Sequence, residues 1–182
     1  MILALDSYYK DDVCNTSLVV FENRDSSEPI YTDTIYTKVT SQYIPGEFYK
    51  RELPGIKKIL NKFIKEHQDL WRNVYYIIVD SYIKLKLGDK EWDGLGAYVY
   101  NYLIGIEQRK IVYGVAKSKF GDCDKISYEV FRGKSKTPLY VQTTEDTHIA
   151  KLNVQQMHGE YRIPTMLKLV DQLSRIFPDN KG

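Results

Sequence analysis

Apolar and polar positions along the chain divide it into short strands and amphipathic helices. Met1–Tyr9 opens as an apolar run that turns polar at Asp6. Val13–Glu22 and Ile30–Thr40 are rich in Val, Ile, Thr and Tyr, with a polar Asn-Arg-Asp-Ser-Ser turn between them. Together these segments predict an antiparallel meander of three strands. From Leu53 to His67 the apolar residues Leu53, Ile56, Leu60, Phe63 and Ile64 recur at helical spacing, with lysines on the other face. Val74–Val79 is a continuous apolar run, as in a strand buried on both faces. Leu95–Ile104 reads as a helix, Lys110–Val115 and Leu139–Thr143 as strands, and Thr147–Met157 and Pro164–Phe177 as helices, the last with Pro164 in its first turn. The order predicts an α/β protein, a mixed sheet of about five strands or a little more covered by helices. No repeat, low-complexity segment or linker divides it, so residues 1–182 are read as a single domain.

Composition narrows the picture only slightly. Hydrophobic residues make up 43% and charged residues 27% of the 182, and the net charge of +2 argues neither for nor against a polyanionic partner. Locally, Lys50, Arg51, Lys57, Lys58, Lys62 and Lys65 face Glu52 alone, which suits a solvated helix face or a phosphate-binding one. Sixteen tyrosines suit strand positions and half-buried surfaces, and a few could stack on bases. Cys14 and Cys123, the two cysteines, form neither a CxxC pair nor a disulfide framework, so a reducing, cytoplasmic setting is expected. Asp6 interrupts the opening apolar run before a signal-peptide core could form, and no stretch is long enough to span a bilayer. His67, His148 and His158 offer no zinc-ligand spacing, and neither a phosphate-binding GxxxxGK[ST] loop nor a nucleophile elbow is present.

The chemistry that remains is carboxylate chemistry. Asp6 ends Ile-Leu-Ala-Leu and Asp80 ends Tyr-Ile-Ile-Val, each an acid at the tip of an apolar strand. Either acid alone is more often a strand cap or the start of a turn. If the two strands are neighbours, the carboxylates converge at one sheet edge and begin a site for a hard, oxygen-liking cation. Glu52 reads as a first-turn helix glutamate, Asp171 as an acid at the border of an apolar helix stripe, and Lys117 as a strand-end lysine that could meet phosphate or snorkel to solvent.

Several segments, in order from residue 2 to about 175, resemble the endonuclease V family. Ala-Leu-Asp6-Ser-Tyr is similar to its first catalytic strand. Tyr43-Ile44-Pro45-Gly46 followed by Lys50-Arg51-Glu52-Leu53-Pro54 resembles its most specific segment, a wedge loop leading to a metal-binding glutamate. Ile77-Ile78-Val79-Asp80 is similar to the next acidic strand, Gly94-Leu95-Gly96-Ala97 to the following helix start, Tyr113-Gly114-Val115-Ala116-Lys117-Ser118 to the strand bearing the active-site lysine, and Tyr161-Arg162-Ile163-Pro164 with Lys168 and Asp171 to the terminal helix.

The resemblance implies a ribonuclease H-like mixed sheet with helices on both faces. It implies an endonuclease using Mg2+, or Mn2+, held by Asp6, Glu52, Asp80 and Asp171, with Lys117 as a further catalytic residue. Tyr43, Ile44, Pro45, Gly46, Gly94, Gly96 and Lys168 would contact the substrate, DNA or RNA containing inosine, cut on the 3′ side of that base. A monomer is expected.

Three departures stand out. Asp80 is followed by Ser81-Tyr82-Ile83-Lys84-Leu85-Lys86-Leu87-Gly88-Asp89-Lys90 instead of the family's Asp-Gly-x-Gly and His-Pro-Arg, a stretch with no histidine. Thr143-Thr144-Glu145-Asp146-Thr147-His148 replaces a Ser-x-Gly-His stretch, and Lys168 replaces an arginine. These changes leave a second reading open, an accessory protein on the same fold that binds nucleic acid with weakened or lost catalysis.

Overall fold

The computed structural model describes residues 1–39, 49–107, 109–116, 127–131, 138–145 and 162–177. Among them the strands are β1 (Ile2–Lys10), β2 (Val13–Phe21), β3 (Tyr31–Lys38), β4 (Tyr76–Val79), β5 (Lys84–Leu87), β6 (Lys90–Asp93), β7 (Ile111–Ala116), β8 (Ser127–Phe131) and β9 (Pro138–Thr143). The helices are α1 (Tyr49–Glu66), α2 (Gln68–Asn73), α3 (Leu95–Ile104) and α4 (Arg162–Ser174).

Seven strands form one mixed sheet in the order β3-β2-β1-β4-β7-β9-β8. The meander β1–β2–β3 is antiparallel, as its alternation predicts. β4 joins parallel to β1 and β7 parallel to β4, while β9 and β8 return antiparallel. Strand alternation gives the sheet two apolar faces. Leu3, Leu5, Leu18, Ile77 and Val79 pack against α1, α2 and α3, where Phe63, Trp71 and Val99 are buried. Ile2, Ala4, Val19, Ile78 and Tyr113 face the other way, against Met166 and Val170 of α4. The α/β class with helices on both faces is thus as the sequence suggested.

Helix α2 and strand β8 were not expected from the sequence, and two further segments differ from expectation. Helix α1 begins at Tyr49 rather than Leu53, because residues 49–52 carry no apolar stripe for spacing to detect, and Pro54 therefore falls inside it. The segment after Asp80 is a β-hairpin, with Leu87 paired to Lys90 across Gly88-Asp89. Gly88 has φ +61°, which a first turn position of the type II′ kind requires and which glycine adopts without strain. The hairpin is fixed to the main sheet by the buried Gln142 of β9. Its Oε1 accepts the Ile83 and Lys84 amides at 2.7 and 2.9 Å, and its Nε2 donates to the Lys84 carbonyl at 2.8 Å. The helix expected at Thr147–Met157 lies outside the described residues.

At the edge of the sheet where β1, β4 and β7 begin, Lys110 is buried. Its Nζ donates to the carbonyls of Trp71, at 2.6 Å, and of Val74, closing the end of α2, and lies 4.2 Å from the centre of the Trp71 ring. Lys110→Met keeps the bulk of the side chain but strands the Val74 carbonyl, while the Trp71 carbonyl still accepts the Val74 amide at 3.1 Å; the cost is about 1–3 kcal/mol. Thermal unfolding followed by circular dichroism should show a melting temperature lower by several degrees. An unchanged value would show that water satisfies the Val74 carbonyl instead.

Candidate active site at the strand ends

The parallel pairing of β1 with β4 ends at Leu5 opposite Val79, so Asp6 and Asp80 follow at the same level on adjacent strands. Asp80 follows the end of β4, but Asp6 is not the strand tip that the sequence suggested: β1 runs on to Lys10 alongside β2. In an open α/β sheet the carboxyl ends of the parallel strands are where ligands bind. Asp6 is half-buried, and its Oδ1 accepts the Ser7 amide at 2.8 Å. Burial and then the charge of Asp80 push its carboxyl up to about 9, with smaller contributions in the same direction from Glu52 and Asp171. All four sequence-predicted acids therefore share one electrostatic neighbourhood.

Glu52 enters from the first turn of α1. Gly55, on the next turn, permits this: a side-chain carbon there would lie 2.4 Å from the Thr16 hydroxyl of β2, so only glycine lets the helix approach this closely. The Tyr9 hydroxyl donates to Glu52 Oε1 at 3.1 Å, and the Arg51 guanidinium lies 4.3 Å over the Tyr9 ring. Burial raises the Glu52 carboxyl to about 7, the Tyr9 hydrogen bond opposing the shift and Asp80 adding to it. Tyr9 is itself raised, by burial and by Glu52.

Asp171 comes from α4, on the opposite face of the sheet from α1. Arg175, one turn later, holds it through Nε at 3.1 Å from both carboxylate oxygens and lies 4.4 Å over the Tyr8 ring. Lys168 is exposed on the same helix. Among the described residues, no three acids are drawn tightly enough to enclose a metal ion: Glu52 is turned to Tyr9 and Asp171 to Arg175. The donor set nevertheless suits a hard dication, being oxygen-only, with carboxyls pushed toward protonation by burial and by one another.

Gly94 and Gly96 lie buried at the start of α3 beneath the segment that follows Asp80. A side-chain carbon on Gly94 would meet the Tyr82 ring at 2.4 Å, and one on Gly96 the Ile83 side chain at 2.8 Å. On β7, Gly114 likewise leaves room for the Ser81 carbonyl, 2.6 Å from where its side chain would be. Beside the hairpin base a cavity of about 410 Å³ opens between Lys84, Asp93, Tyr100 and Thr144. Lys117 and the loop Tyr43, Ile44, Pro45, Gly46 lie outside the described residues, although β7 ends at Ala116, immediately before Lys117.

Sequence reasoning missed Tyr9, Arg175 and Gln142. Arg175 carried a signal, its i,i+4 spacing from Asp171 on a helix. The hairpin carried one too, in the Gly88-Asp89 pair between alternating residues.

The fold and site so far describe an α/β protein with a mixed sheet and a cluster of acids at its parallel strand ends. Comparison with family models gives no match, and comparison with curated proteins gives none. Solved structures do match. Human endonuclease V is similar with a TM-score of 0.69 and 17% identity, over 96% of this chain and 82% of that one. Endonuclease V of Ciona intestinalis, solved with a DNA containing an inosine followed by a ribo-adenosine, gives 0.74 and 15%, over 96% and 84%. The Bacillus subtilis endonuclease V gives 0.59 and 16%, over 95% and 77%. The chain has an endonuclease V-like fold.

The raised carboxyls make a pH prediction for the metal-free protein. Because the folded Asp6 and Glu52 sit above their ordinary values, the folded state binds more protons than the unfolded one from about pH 4 up to about 9 for Asp6 and about 7 for Glu52. Stability is therefore fullest at the acid end of that window and falls as pH rises through it. In EDTA at pH 8, Asp6→Asn should raise the melting temperature by a few degrees, at about 2–4 °C per kcal/mol for a chain of this size. A lower melting temperature for Asp6→Asn at pH 8 would mean that the carboxylate is a net stabiliser and the reading of the site is wrong.

Proposed function

We propose that this protein is a divalent-metal-dependent endonuclease that hydrolyses a phosphodiester in DNA or RNA, on the 3′ side of an inosine. The observation that carries the reading is the placement of Asp6 and Asp80 at the same level on adjacent parallel strands, with Glu52 and Asp171 in the same electrostatic field. The endonuclease V-like fold supports it, as does the Ciona protein's complex with inosine-containing DNA.

In this reading Asp6, Glu52, Asp80 and Asp171 hold Mg2+ or Mn2+. When bound, the cation supplies activation of water and neutralisation of charge on the phosphoryl group. The chain's own residues do the rest. Asp6, midway along β1, and Asp80, just past the end of β4, face the scissile phosphate. Tyr9 orients Glu52 through its hydroxyl. Lys117, next after β7, carries the positive charge that meets the phosphate. Water adds to phosphorus as the P–O3′ bond breaks, one water proton ending on the departing oxygen, which leaves a 3′-hydroxyl and a 5′-phosphate. Lys168 and the Tyr43–Gly46 loop contact the strand, and the protein acts as a monomer.

A base reaching Gly94 or Gly96 has to displace Tyr82, whose ring lies over Gly94. Base preference is therefore set partly by Tyr82 and Ile83, and Tyr82→Ala should strengthen the preference for inosine. A second reading, binding without cutting, is favoured by one observation: Arg175 occupies both oxygens of Asp171.

Labelled DNA and RNA strands, with and without inosine, separate these readings in Mg2+ or Mn2+. The expected result is cutting one or more bonds 3′ of inosine. Asp80→Asn should slow it by more than roughly a hundred-fold, beyond the loss typical of an outer-shell metal partner. Cutting without inosine preference would remove the base specificity, and binding with no cutting in either metal would favour the accessory protein.

A further inference from the structure

The sheet carries an ordered strip of side chains leading away from Asp6. Pairing places Asp6, Ser17 and Thr34 in one row across β1, β2 and β3. Two residues along, Tyr8, Asn15 and Tyr36 form the next row, and Lys10, Val13 and Lys38 the one after. Residues two apart on a strand point to the same face, so the three rows share a face, at steps of about 7 Å. It is the α4 face. The Asn15 amide donates to the carbonyls of Leu173 at 3.2 Å and Ile176 at 2.5 Å, and the Tyr36 hydroxyl donates to Ile176 at 2.8 Å.

The middle row is aromatic and open at its two ends, with Asn15 buried between them. Tyr8 is 38% and Tyr36 40% exposed, with Phe177 between them, its ring centre 6.1 Å from that of Tyr8 and 6.2 Å from that of Tyr36. Arg175 lies 4.4 Å over Tyr8. Lys10 and Lys38 are exposed in the outer row, and Asp11 and Asp12 follow in the β1–β2 turn, where their charge bounds the strip. Aromatic faces flanked by cations and leading in register from a carboxylate cluster match one ligand chemistry. Bases stack on the rings, and the phosphates between them meet the cations.

We infer that the Tyr8–Phe177–Tyr36 row with Arg175, Lys10 and Lys38 is a binding strip for single-stranded polynucleotide, holding the one or two nucleotides next to the carboxylate site. The inference takes its substrate class from the proposed nuclease function and adds the surface that grips the strand. Tyr8 and Arg175 hold the near base and phosphate. Tyr36 and the lysines hold the next. Arg175 thereby exchanges Asp171 for a phosphate when the strand arrives.

The test is binding in EDTA, where cutting plays no part. Fluorescence anisotropy with labelled oligo(dT) and oligo(rU) compares the full chain with Tyr8→Ala, Tyr36→Ala, their Phe counterparts, and a Lys10→Ala/Lys38→Ala pair. Each Ala variant should weaken binding about ten-fold and each Phe variant less than about two-fold. The lysine pair should reduce the slope of log affinity against log salt by about one. A Tyr8→Trp variant guards against misfolding in the Ala variants, since its added indole fluorescence should be quenched when either oligonucleotide binds. Folded Ala variants that bind like the unmodified chain, an unquenched indole, or no binding of either oligonucleotide would overturn the inference. Binding with the expected pattern but without cutting in metal would leave the strip standing and remove the nuclease reading. Cutting with none of the pattern would do the reverse.

Discussion

The parallel pairing of β1 with β4 is the constraint on which the rest of the site depends. These strands are distant in sequence, and hydrogen bonding puts Leu5 beside Val79. The next residue on each is an aspartate. Burial disfavours the charged form of Asp6, and the charge of Asp80 beside it adds to the effect, which is why Asp6 is held near 9. The fold thus spends stability at one spot, a cost that a bound cation would offset.

The surrounding elements supply the other acids from opposite sides. Helix α1 reaches the site because Gly55 lets it lie against Thr16, bringing Glu52 to Tyr9. Helix α4 reaches it from the other face because Asn15 and Tyr36 capture the carbonyls at its C-terminal end. A buried polar residue on β2, 158 positions before Leu173, therefore fixes where Asp171 and Arg175 stand. Tyr113, also buried on the α4 face, is held through its hydroxyl by Glu145 at 2.5 Å. Both faces of the sheet thus serve apolar packing and the placement of polar groups.

Much of this was legible in the sequence, for a physical reason. Asp6 and Asp80 stand out because each interrupts an apolar run, and an acid there must be solvated or bound. The meander and α1 were legible because burial imposes periods of two and 3.6 on their side chains. Gln142 was not, because its partners Ile83 and Lys84 lie 59 and 58 residues away and a side chain mimicking a strand leaves no local pattern. Gly94 and Gly96 were read as substrate contacts from motif likeness alone. The structure shows what they do in this chain, accepting Tyr82 and Ile83 at close range. Those are the residues where this sequence departs from the family pattern, so the departure and its packing explain each other. Lys117 and the Tyr43–Gly46 loop lie outside the described residues.

Calorimetric titration of the protein with Mn2+ near pH 7, in buffers of different ionisation enthalpy, tests the convergence of these acids most directly. Asp6 is held near 9 and Glu52 near 7, so ligation must expel protons that the metal-free site retains. Saturable binding that releases on the order of one proton per ion at this pH is expected, with affinity rising as pH rises. Asp6→Asn should weaken binding and reduce the release. Binding whose heat is the same in every buffer, or no binding that depends on Asp6, would contradict a metal site built from these carboxylates.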